Sequence, residues 1–373
     1  MILGLDMGGT NIDAVIIKNN TIVKSIKRLI DYNDVFNSIY NTIFEITKDI
    51  NRKEIKKINL STTISTNKIA LNDLDDVGLI IQTGPGLNYD FLKLSKYQEF
   101  IKGYTDHRGV IVKDFDINEI NTIKDKFKNS GITNVGIISK FSTRNPETEN
   151  KIKELIKDDF NSITLGHELS GKLNFYRRIN TCFLNESIKN NFTLFSNYIE
   201  KSIKLLGINS EINILKADGG IMSLKAANTY VAETIFSGPS ASLMGMLSLK
   251  KYEEDSILID IGGTTTDIFF LADGIPLFEP LGTKINKYKT LIRSIFSKSL
   301  PLGGNTAFII EKGTLKIDFK SLNKLLSLGG EKITLTDVFN YLNNLNIGDT
   351  NKSIKGLKDL SKQLNLDVNK TSK

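Results

Sequence analysis

One short motif occurs twice in the sequence, as DMGGTNID at residues 6–13 and as DIGGTTTD at residues 260–267. Both copies have the form D-x-G-G-T with a second aspartate three residues after the threonine, and both lie between apolar segments typical of strands. With average residue usage, D-x-G-G-T arises by chance at about one position in 10⁵. Two copies in one chain therefore predict a duplicated strand–turn–strand fold.

The sequence around the first copy predicts an α/β unit. The strand ILGLDMG leads into the turn, IDAVIIKN leaves it, and TIVKSIKRLI follows as a third strand after an Asn-Asn turn. An amphipathic helix at about residues 34–49 and a strand KKINLST complete a strand-strand-strand-helix-strand order. Further along we predict buried strands at 77–83 and 134–139, a helix at 117–129, mainly helices over 147–206, and a helix at 239–249.

The length of 373 residues suits two domains of common size. We place the first at residues 1–165, with the first motif, and the second at residues 166–373, with the second motif and a polar, lysine-rich C-terminal tail that is either a surface helix or a frayed end. With 40% apolar and 24% charged residues, the composition is globular and excludes disordered, collagen-like and disulfide-scaffold proteins.

Cysteine content and charge bear on location and partners. The single cysteine, Cys182, cannot form an internal disulfide and is expected in the core. The N-terminal residues lack the pattern of a secretory signal, and no apolar stretch is long enough to span a bilayer, which favours a cytoplasmic protein. The net charge of +7 comes from lysines that are mixed with acidic residues and lack interleaved aromatic side chains. This pattern indicates a solvated surface rather than a nucleic-acid partner.

The two motifs have the composition of phosphate-binding turns. In each, a glycine pair allows positive φ and leaves no Cβ in the way of backbone N–H groups that converge on an anion. The aspartate that ends the incoming strand can hold Mg²⁺, and threonine hydroxyls add donors for phosphoryl oxygens. The residues concerned are Asp6, Gly8, Gly9 and Thr10 in the first copy and Asp260, Gly262, Gly263, Thr264 and Thr265 in the second.

Two such turns facing one another across a cleft would grip a polyphosphate from both sides and neutralise it through the metal. A tight hairpin turn without a ligand is the alternative, and it suits a single copy better than a repeated one. The motif is not a Walker loop, because no GK[ST] sequence occurs and each turn joins strand to strand. The second aspartates, Asp13 and Asp267, orient water or the metal, or else cap their turns.

The two turns resemble the phosphate motifs of the actin, hexokinase and heat-shock chaperone superfamily. Within that superfamily the chain is similar to the hydantoinase/oxoprolinase family over most of its length and in matching order. The matching segments are GLDMGGTNIDAV, LSTTISTN, GIISKFSTRNPETE, TLGHELSGKLN, RRINTCFLN, KADGGIMS, ETIFSGPSASLMG, DIGGTTTDI and LGGNT. Nine collinear segments are far more specific than any one of them.

The resemblance implies an α/β fold of two ribonuclease-H-like domains flanking an ATP cleft, with ATP and Mg²⁺ as cofactors. It also implies ATP-dependent hydrolysis of cyclic amides of the hydantoin or 5-oxoproline type, in which phosphoryl transfer turns the ring-amide oxygen into a leaving group. A second hydantoinase-type subunit is a candidate partner. Two alternatives stay open: a small-molecule kinase of the same fold, and a non-catalytic nucleotide-binding subunit, because Thr105 and Asn305 replace residues that many relatives carry.

The family match adds two segments to the candidate cofactor site. Asp218, Gly219 and Gly220 follow a strand, where the glycines let a flat ring or a phosphate approach the backbone. Ser237 and Gly238 precede a proline that suits the first turn of a helix, so the free N–H groups of the helix start would form an anion site. The alternative for Ser237 is an ordinary N-cap.

Two further candidates have weaker signals. Gly303 and Gly304 of LGGNT are assigned to the nucleoside side of the cleft or to a metal position. His167, which precedes Glu168, is a candidate acid/base or substrate-contact residue, and a structural role is the alternative. Because the chain has only two histidines and one cysteine, His-rich and Cys-rich metal sites are excluded.

Overall fold

The computed structural model describes residues 1–318 and 324–372. The chain divides into two compact units: unit 1 comprises Met1–Gly245 and Phe278–Ile295, and unit 2 comprises Met246–Leu277 and Phe296–Lys373. Residue 166, where the sequence led us to begin the second domain, lies inside unit 1. The physical reason is that strands formed after residue 166 pair with strands formed before it.

Strands and helices are interspersed along the described chain. In chain order the strands are β1 (Ile2–Met7), β2 (Asn11–Lys18), β3 (Thr21–Leu29), β4 (Lys57–Thr62), β5 (Gly78–Gln82), β6 (Tyr97–Phe100), β7 (Tyr104–Thr105), β8 (Ile111–Lys113), β9 (Asn134–Ser139), β10 (Ser162–Leu165), β11 (Glu211–Leu215), β12 (Ile221–Ser223), β13 (Ser256–Ile261), β14 (Thr266–Ala272), β15 (Ile275–Pro276), β16 (Lys284–Ile285), β17 (Tyr288–Lys289), β18 (Ser297–Leu300), β19 (Ala307–Glu311) and β20 (Thr314–Asp318). The helices are α1 (Val35–Thr47), α2 (Ile64–Ala70), α3 (Ile117–Asn129), α4 (Glu147–Ile156), α5 (Gly166–Leu169), α6 (Phe175–Ser187), α7 (Lys189–Leu205), α8 (Leu224–Ala227), α9 (Ser237–Leu249), α10 (Leu335–Asn343), α11 (Thr350–Leu364) and α12 (Val368–Thr371).

Unit 1 is built on a mixed six-stranded sheet in the order β12-β11-β4-β1-β2-β3. β1 pairs antiparallel with β2 and parallel with β4, and β4 pairs parallel with β11. The predicted strand-strand-strand-helix-strand order is confirmed, with α1 between β3 and β4. The turn between β2 and β3 has φ values of 50° at Asn19 and 59° at Asn20, which match a type I′ hairpin turn.

One face of this sheet is buried under helices. Leu3, Leu5 and Met7 of β1 are 0%, 3% and 3% exposed, and they share a core with Ile39 and Ile43 of α1. Because successive residues of a strand point to opposite faces, the β1 residues between these three lie on the other face. Asp6, the candidate metal-binding residue of the first motif, is found there.

A second sheet of unit 1 contains four parallel strands in the order β10-β9-β5-β6. The strand predicted at 134–139 and the helix predicted at 117–129 are confirmed as β9 and α3, and the strand predicted at 77–83 is β5. β5 and β9 are buried along their whole length, as expected for parallel strands covered on both faces. The carboxyl ends of these strands meet at one edge of the sheet.

Unit 2 contains the second copy of the hairpin. β13 pairs antiparallel with β14, and β15 and β18 both pair with β14. The predicted duplication is confirmed down to the register, because Asp6 lies opposite Asp13 in the first hairpin and Asp260 lies opposite Asp267 in the second.

The two hairpins differ in which face is covered. Aligning Asp6 on Asp260 places Ile257, Ile259 and Ile261 at the positions of the buried β1 side chains. These isoleucines are 64%, 53% and 70% exposed. The repeated sequence pattern therefore has different tertiary surroundings in the two units.

The lysine-rich C-terminal segment is helical, and the surface-helix alternative is the one that the structure shows. α11 packs Leu357 and Leu360 into a small core with Ile333 and Val338. Over the described residues, no helix combines the length and the apolar character that a membrane crossing requires.

Candidate functional site

The two glycine turns are closed by the same backbone hydrogen bond. In the first, the Gly8 N–H donates to the Asn11 carbonyl over 3.0 Å, and in the second the Gly262 N–H donates to the Thr265 carbonyl over 2.8 Å. Both turns are largely exposed, and their threonine hydroxyls make no hydrogen bond to any described residue. These hydroxyls are therefore open to a ligand.

The expectation of positive φ in these turns was wrong. None of the four turn glycines has φ in the left-handed region, whereas Gly219, in another turn, has φ of 82°. A Cβ on Gly8 would lie 3.6 Å from the Asn11 oxygen, and one on Gly9 would lie 3.4 Å from Asn67 Nδ2, which are ordinary contacts. The glycines of the first turn therefore relieve no strain within the protein, whereas a Cβ on Gly262 would make a tight contact, 3.2 Å from the Thr265 carbonyl oxygen.

Asp6 lies on the face of the sheet opposite the helices, and a residue of β4 holds its carboxylate. Ser61 Oγ donates to Asp6 Oδ1 over 2.6 Å, because the parallel pairing of β1 with β4 sets the two residues side by side. The cross-strand neighbour Asp13 forms an ion pair with Lys27 of β3 at 3.2 Å. Sequence reasoning missed Ser61 as a site residue. The signal that could have identified it is the alternation of KKINLST, taken together with the pairing register of β4 and β1.

The start of α9 is fastened to the end of β4, next to the first turn. Ser237 Oγ donates to the Thr62 carbonyl over 2.8 Å and accepts from the Thr62 N–H over 3.2 Å, so its hydroxyl joins helix to strand and does not cap the helix. A Cβ on Gly238 would lie 3.1 Å from Thr63 Cγ2, so glycine permits this close packing. The Thr63 N–H in turn donates to the Met7 carbonyl over 3.1 Å, immediately before the first turn.

Asp218, Gly219 and Gly220 form the tight turn between β11 and β12. The Gly220 N–H donates to Asp218 Oδ1 over 3.0 Å, and the Lys216 N–H donates to the Gly220 carbonyl over 2.8 Å. The φ of 82° at Gly219 explains the need for glycine at that position. Because β11 neighbours β4, this turn lies at the same edge of the sheet as the first motif, and its contact with a ligand stays a prediction.

Sequence reasoning also missed a cation at this edge. Lys216 Nζ lies 3.6 Å from Asp218 Oδ2 and 3.3 Å from Glu233 Oε2. Burial raises the pKa of Glu233, while the charge of Lys216 acts in the opposite direction. The two carboxylates fix the ammonium group at the carboxyl end of β11.

The LGGNT segment packs directly against the second turn. The Gly304 N–H donates to the Gly262 carbonyl over 3.0 Å, and the Asn305 N–H donates to the Gly263 carbonyl over 2.6 Å. A Cβ on Gly303 would lie 2.6 Å from the Gly263 carbonyl carbon, which no side chain can occupy. These contacts give Gly303 and Gly304 a role in supporting the turn, and their contact with a nucleoside or a metal stays a prediction.

Asp267 of the second hairpin is partly buried and lies opposite Asp260. Burial raises the pKa of Asp267, a hydrogen bond with Ser299 lowers it, and the charge of Asp260 raises it further. Like charges directly opposite each other on paired strands are destabilising. A cation bound beside this pair would remove the repulsion.

His167 lies at the edge of the second sheet, whereas the first glycine turn belongs to the first sheet. His167 Nδ1 is 2.6 Å from Glu149 Oε2, which also accepts from the His167 N–H over 3.0 Å. The other oxygen of Glu149 accepts from the Ser139 N–H over 2.7 Å, and Glu149 is fully buried. The carboxylate thus joins the loops after β9 and β10. This geometry supports the structural alternative for His167, and a catalytic role stays a prediction.

Family models match almost the whole chain. The model described as hydantoinase/oxoprolinase matches residues 178–365, and that of the hydantoinase/oxoprolinase N-terminal region matches residues 2–160. The chain belongs to the hydantoinase/oxoprolinase family. The resemblance seen in the sequence is thereby confirmed, and a search of curated proteins gives no significant match.

Two solved structures share the fold of this family member over its full length. A nucleotide-free structure of acetone carboxylase, described as showing the mechanism of ATP-dependent acetone carboxylation, has 17% identity and a TM-score of 0.80. The ATP-dependent caprolactamase from Pseudomonas jessenii has 19% identity and a TM-score of 0.80. Both cover 100% of this chain, and this chain spans 60% of the length of each. At these identities the likeness establishes the mixed α/β fold.

The carboxylates of this family member fit a magnesium ion that binds mainly to water and to substrate phosphates and takes only one or two ligands from the protein. Within residues 1–318 and 324–372, no group of three or more His, Cys, Asp or Glu side chains is able to hold a metal by itself. Mg²⁺ usually keeps several waters and binds through one or two carboxylates together with substrate phosphates. Asp6, beside the open first turn, and Asp260, beside Asp267, provide carboxylates of this kind.

Proposed function

We propose that this family member is an ATP-dependent hydrolase of cyclic amides that activates the ring carbonyl by phosphoryl transfer. The observation that carries the proposal is the pair of glycine turns with equal register, equal hydrogen bonding and equally placed aspartates. The family membership and the ATP dependence of the two similar enzymes, one of which is named a caprolactamase, support it.

The same proposal includes the finer fold, two ribonuclease-H-like domains of the actin and hexokinase type. The strand order β3-β2-β1-β4-β11, with only β2 antiparallel to its neighbours, supports this assignment for unit 1. For unit 2 the support is the repeated β13–β14 hairpin.

The residues of each turn bind phosphate through backbone N–H groups and threonine hydroxyls. In unit 1 the N–H groups at the N-terminus of α9 also bind the phosphate. In each unit the aspartate that ends the incoming strand, Asp6 or Asp260, is the carboxylate that would hold Mg²⁺, which would neutralise charge on the phosphates. Ser61 helps to orient the Asp6 carboxylate by its hydrogen bond.

The reaction balances as one phosphoryl transfer followed by two hydrolytic steps. The ring-amide oxygen forms a bond to the γ-phosphorus of ATP while the bond from that phosphorus to the oxygen of ADP breaks. Water then adds to the amide carbon, and the ring C–N bond breaks as its nitrogen takes a proton, which leaves an acyl phosphate. A second water attacks the same carbon, inorganic phosphate leaves with the former amide oxygen, and the ring-opened carboxylic acid is released. Positioning and charge stabilisation are the main contributions expected of the protein.

Incubation with Mg-ATP and a panel of hydantoins, 5-oxoproline and simple lactams tests the proposal. We expect phosphate release that depends on one of these compounds, together with ring opening detected by mass spectrometry. Asp6→Asn and Asp260→Asn, each tested alone, should abolish that release. A second hydantoinase-type subunit is part of the proposal as a candidate partner, so the assay is run with and without it.

Other outcomes of this assay would favour one of the two alternative functions. A stable phosphorylated product without ring opening would make the protein a small-molecule kinase. Mg-ATP binding without turnover, both alone and with a partner subunit, would make it a non-catalytic nucleotide-binding subunit. Absence of Mg-ATP binding would overturn all three functions.

A further inference from the structure

The open face of the first sheet contains a depression of about 440 Å³ beside Asp6. It spans β1 to β4, and its lining includes Gly4, Val15 and Asn59 together with Asp6 and Ser61. A Cβ on Gly4 would lie 3.0 Å from Val15 Cγ1, so a side chain at this position would fill the base of the depression. Sites for small organic molecules commonly occupy about 300–1,000 Å³.

Asn59 of β4 is a polar side chain in this depression without a partner. Its Oδ1 is shielded from solvent and has no hydrogen-bond partner in the described part of the chain, and its Nδ2 donates to no described residue. The nearest asparagine on the next strand, Asn213, uses its own Nδ2 to bind Glu211 over 3.0 Å. Buried polar groups are nearly always hydrogen-bonded, so an unpaired carboxamide here points to a ligand.

The register places Asn59 close to the candidate catalytic carboxylate. Asn59 lies opposite Gly4, and Ser61, the hydrogen-bond donor to Asp6, lies opposite Asp6. Two residues along a strand correspond to about 7 Å on the same face. A ring held by Asn59 would therefore lie beside the Asp6–Ser61 pair and on the same face of the sheet.

A cyclic amide complements a carboxamide group. Because its ring forces the cis geometry, the amide N–H and C=O point to the same side. A primary carboxamide has an acceptor oxygen and an N–H donor at matching spacing, so the two groups form paired hydrogen bonds. Rotation about the last torsion of Asn59 exchanges oxygen and nitrogen, which lets either order of the pair form. Open-chain trans amides cannot make both bonds at once.

We propose that this depression binds the ring amide of the substrate and that Asn59 recognises it through two hydrogen bonds. The inference rests on the proposed function and deepens it by naming the residue that selects a cis amide. Asn59 positions the ring and transfers no proton. The second lone pair of the ring oxygen stays free to attack phosphorus.

The test uses pyrrolidinone and its N-methyl derivative as probes, with binding followed by ligand-observed NMR on the intact chain. Wild-type protein should bind pyrrolidinone at least about tenfold more tightly than the N-methyl compound, which lacks the N–H. Asn59→Leu should lose this preference and keep wild-type affinity for Mg-ATP. Asn213→Leu, on the same face but outside the depression, is the matched control and should keep the preference.

The outcomes separate this inference from the proposed function. Amide-stimulated phosphate release with equal wild-type affinity for the two probes would overturn the role of Asn59 and leave the hydrolase intact. An Asn59→Leu protein that keeps the preference would overturn that role as well. If neither probe binds and no cyclic amide stimulates phosphate release, both proposals fail. The comparison of probes on wild-type protein decides the question even if Asn59→Leu does not fold.

Discussion

Ser61 donates a hydrogen bond that contributes to the orientation of the Asp6 carboxylate. The bond is 2.6 Å long and partly buried, and a hydrogen bond to a charged group contributes about 1.5–3 kcal/mol. We predict that Ser61→Ala weakens Mg-ATP binding by about tenfold, as measured by titration calorimetry, because the carboxylate loses its fixed geometry.

The matched control for this change is Ser210→Ala. Ser210 Oγ also donates one hydrogen bond, to the Ile55 carbonyl, at the opposite end of the same sheet. It should leave Mg-ATP affinity unchanged. Equal affinity of Ser61→Ala and wild-type protein would show that Ser61 does not position Asp6.

Gly303 occupies a place in which no side chain fits. A Cβ there would lie 2.6 Å from the Gly263 carbonyl carbon and 2.7 Å from the Gly262 oxygen. We predict that Gly303→Ala destabilises unit 2 by about 1–3 kcal/mol, because backbone must move to relieve the overlap. Urea unfolding measures the change, and Gly171→Ala, where nothing lies within 4 Å of the new Cβ, is the control. A Gly303→Ala variant as stable as this control would contradict the prediction.

At the residue scale, the sequence identified the motif residues but not their partners. Asp6 and the glycines of each turn stand out because the motif is repeated. The bonds of Ser61 to Asp6 and of Glu149 to His167 join residues 55 and 18 positions apart. Such pairs depend on strand register and on loop packing, which composition and local periodicity do not specify.

At the element scale, the two hairpins offer a direct comparison of equivalent positions. Leu5 is 3% exposed and Ile259 is 53% exposed, although the register places them at the same point of the repeat. We predict that Leu5→Ala lowers the free energy of unfolding by about 2–5 kcal/mol. Ile259→Ala should lower it by less than about 1 kcal/mol, because little apolar area is lost. Thermal and urea unfolding of both variants decide this, and similar losses would show that the outer face of β13 is covered.

α10 depends on one buried carboxylate. Asp337 is 0% exposed and accepts from the N–H groups of Leu326 and Ser327 and from the hydroxyls of Thr334 and Ser353. Burial alone would raise the pKa of Asp337, but these hydrogen bonds prevail and hold it below its ordinary value of 3.8. The carboxylate joins the start of α10 to α11 and to the turn before it.

The lowered pKa makes this contact sensitive to acid. The folded-state pKa lies below the unfolded value of about 3.9, so the stabilisation is complete above that value and is lost as pH falls through the folded-state pKa. We predict that Asp337→Asn costs about 2 kcal/mol at neutral pH, and that its difference from wild type shrinks below about pH 4. Urea unfolding at several pH values measures this. A difference that is constant down to about pH 3 would exclude the ionised carboxylate as its source.

At this scale the sequence predicted the elements well and their surroundings poorly. The alternation in ILGLDM and SILIDI is the same, so both segments were predicted to be strands of a repeated hairpin, as they are. Whether the apolar face of such a strand is covered depends on how other elements pack, as α1 does in the core that includes Leu5, and the alternation does not specify this packing. The division of the chain was missed for the same reason, because β11 pairs with β4 across more than 140 residues.

At the scale of the whole molecule, lysines of both units form ion pairs with acidic side chains. Lys151 lies 2.8 Å from Glu147 and 3.3 Å from Asp114, and other lysines form similar pairs in both units. Exposed pairs of this kind add little stability, about 0–1 kcal/mol each. They do reduce the field that a polyanion would meet, since each paired lysine is partly neutralised by its neighbour.

We therefore predict that the net charge of +7 gives no specific affinity for nucleic acid. Binding to a short fluorescein-labelled DNA duplex or single strand should be weaker than about 10⁻⁶ M at about 0.15 M salt, as for non-specific contacts, and should fall further as salt rises. Fluorescence anisotropy at several salt concentrations measures this, with Mg-ATP titrated into the same protein sample to show that it is folded. Tighter binding that persists at high salt would require a base-stacking or groove-reading surface. It would also replace the assignment of the lysines to a solvated surface, because counterion release alone loses affinity steeply with salt.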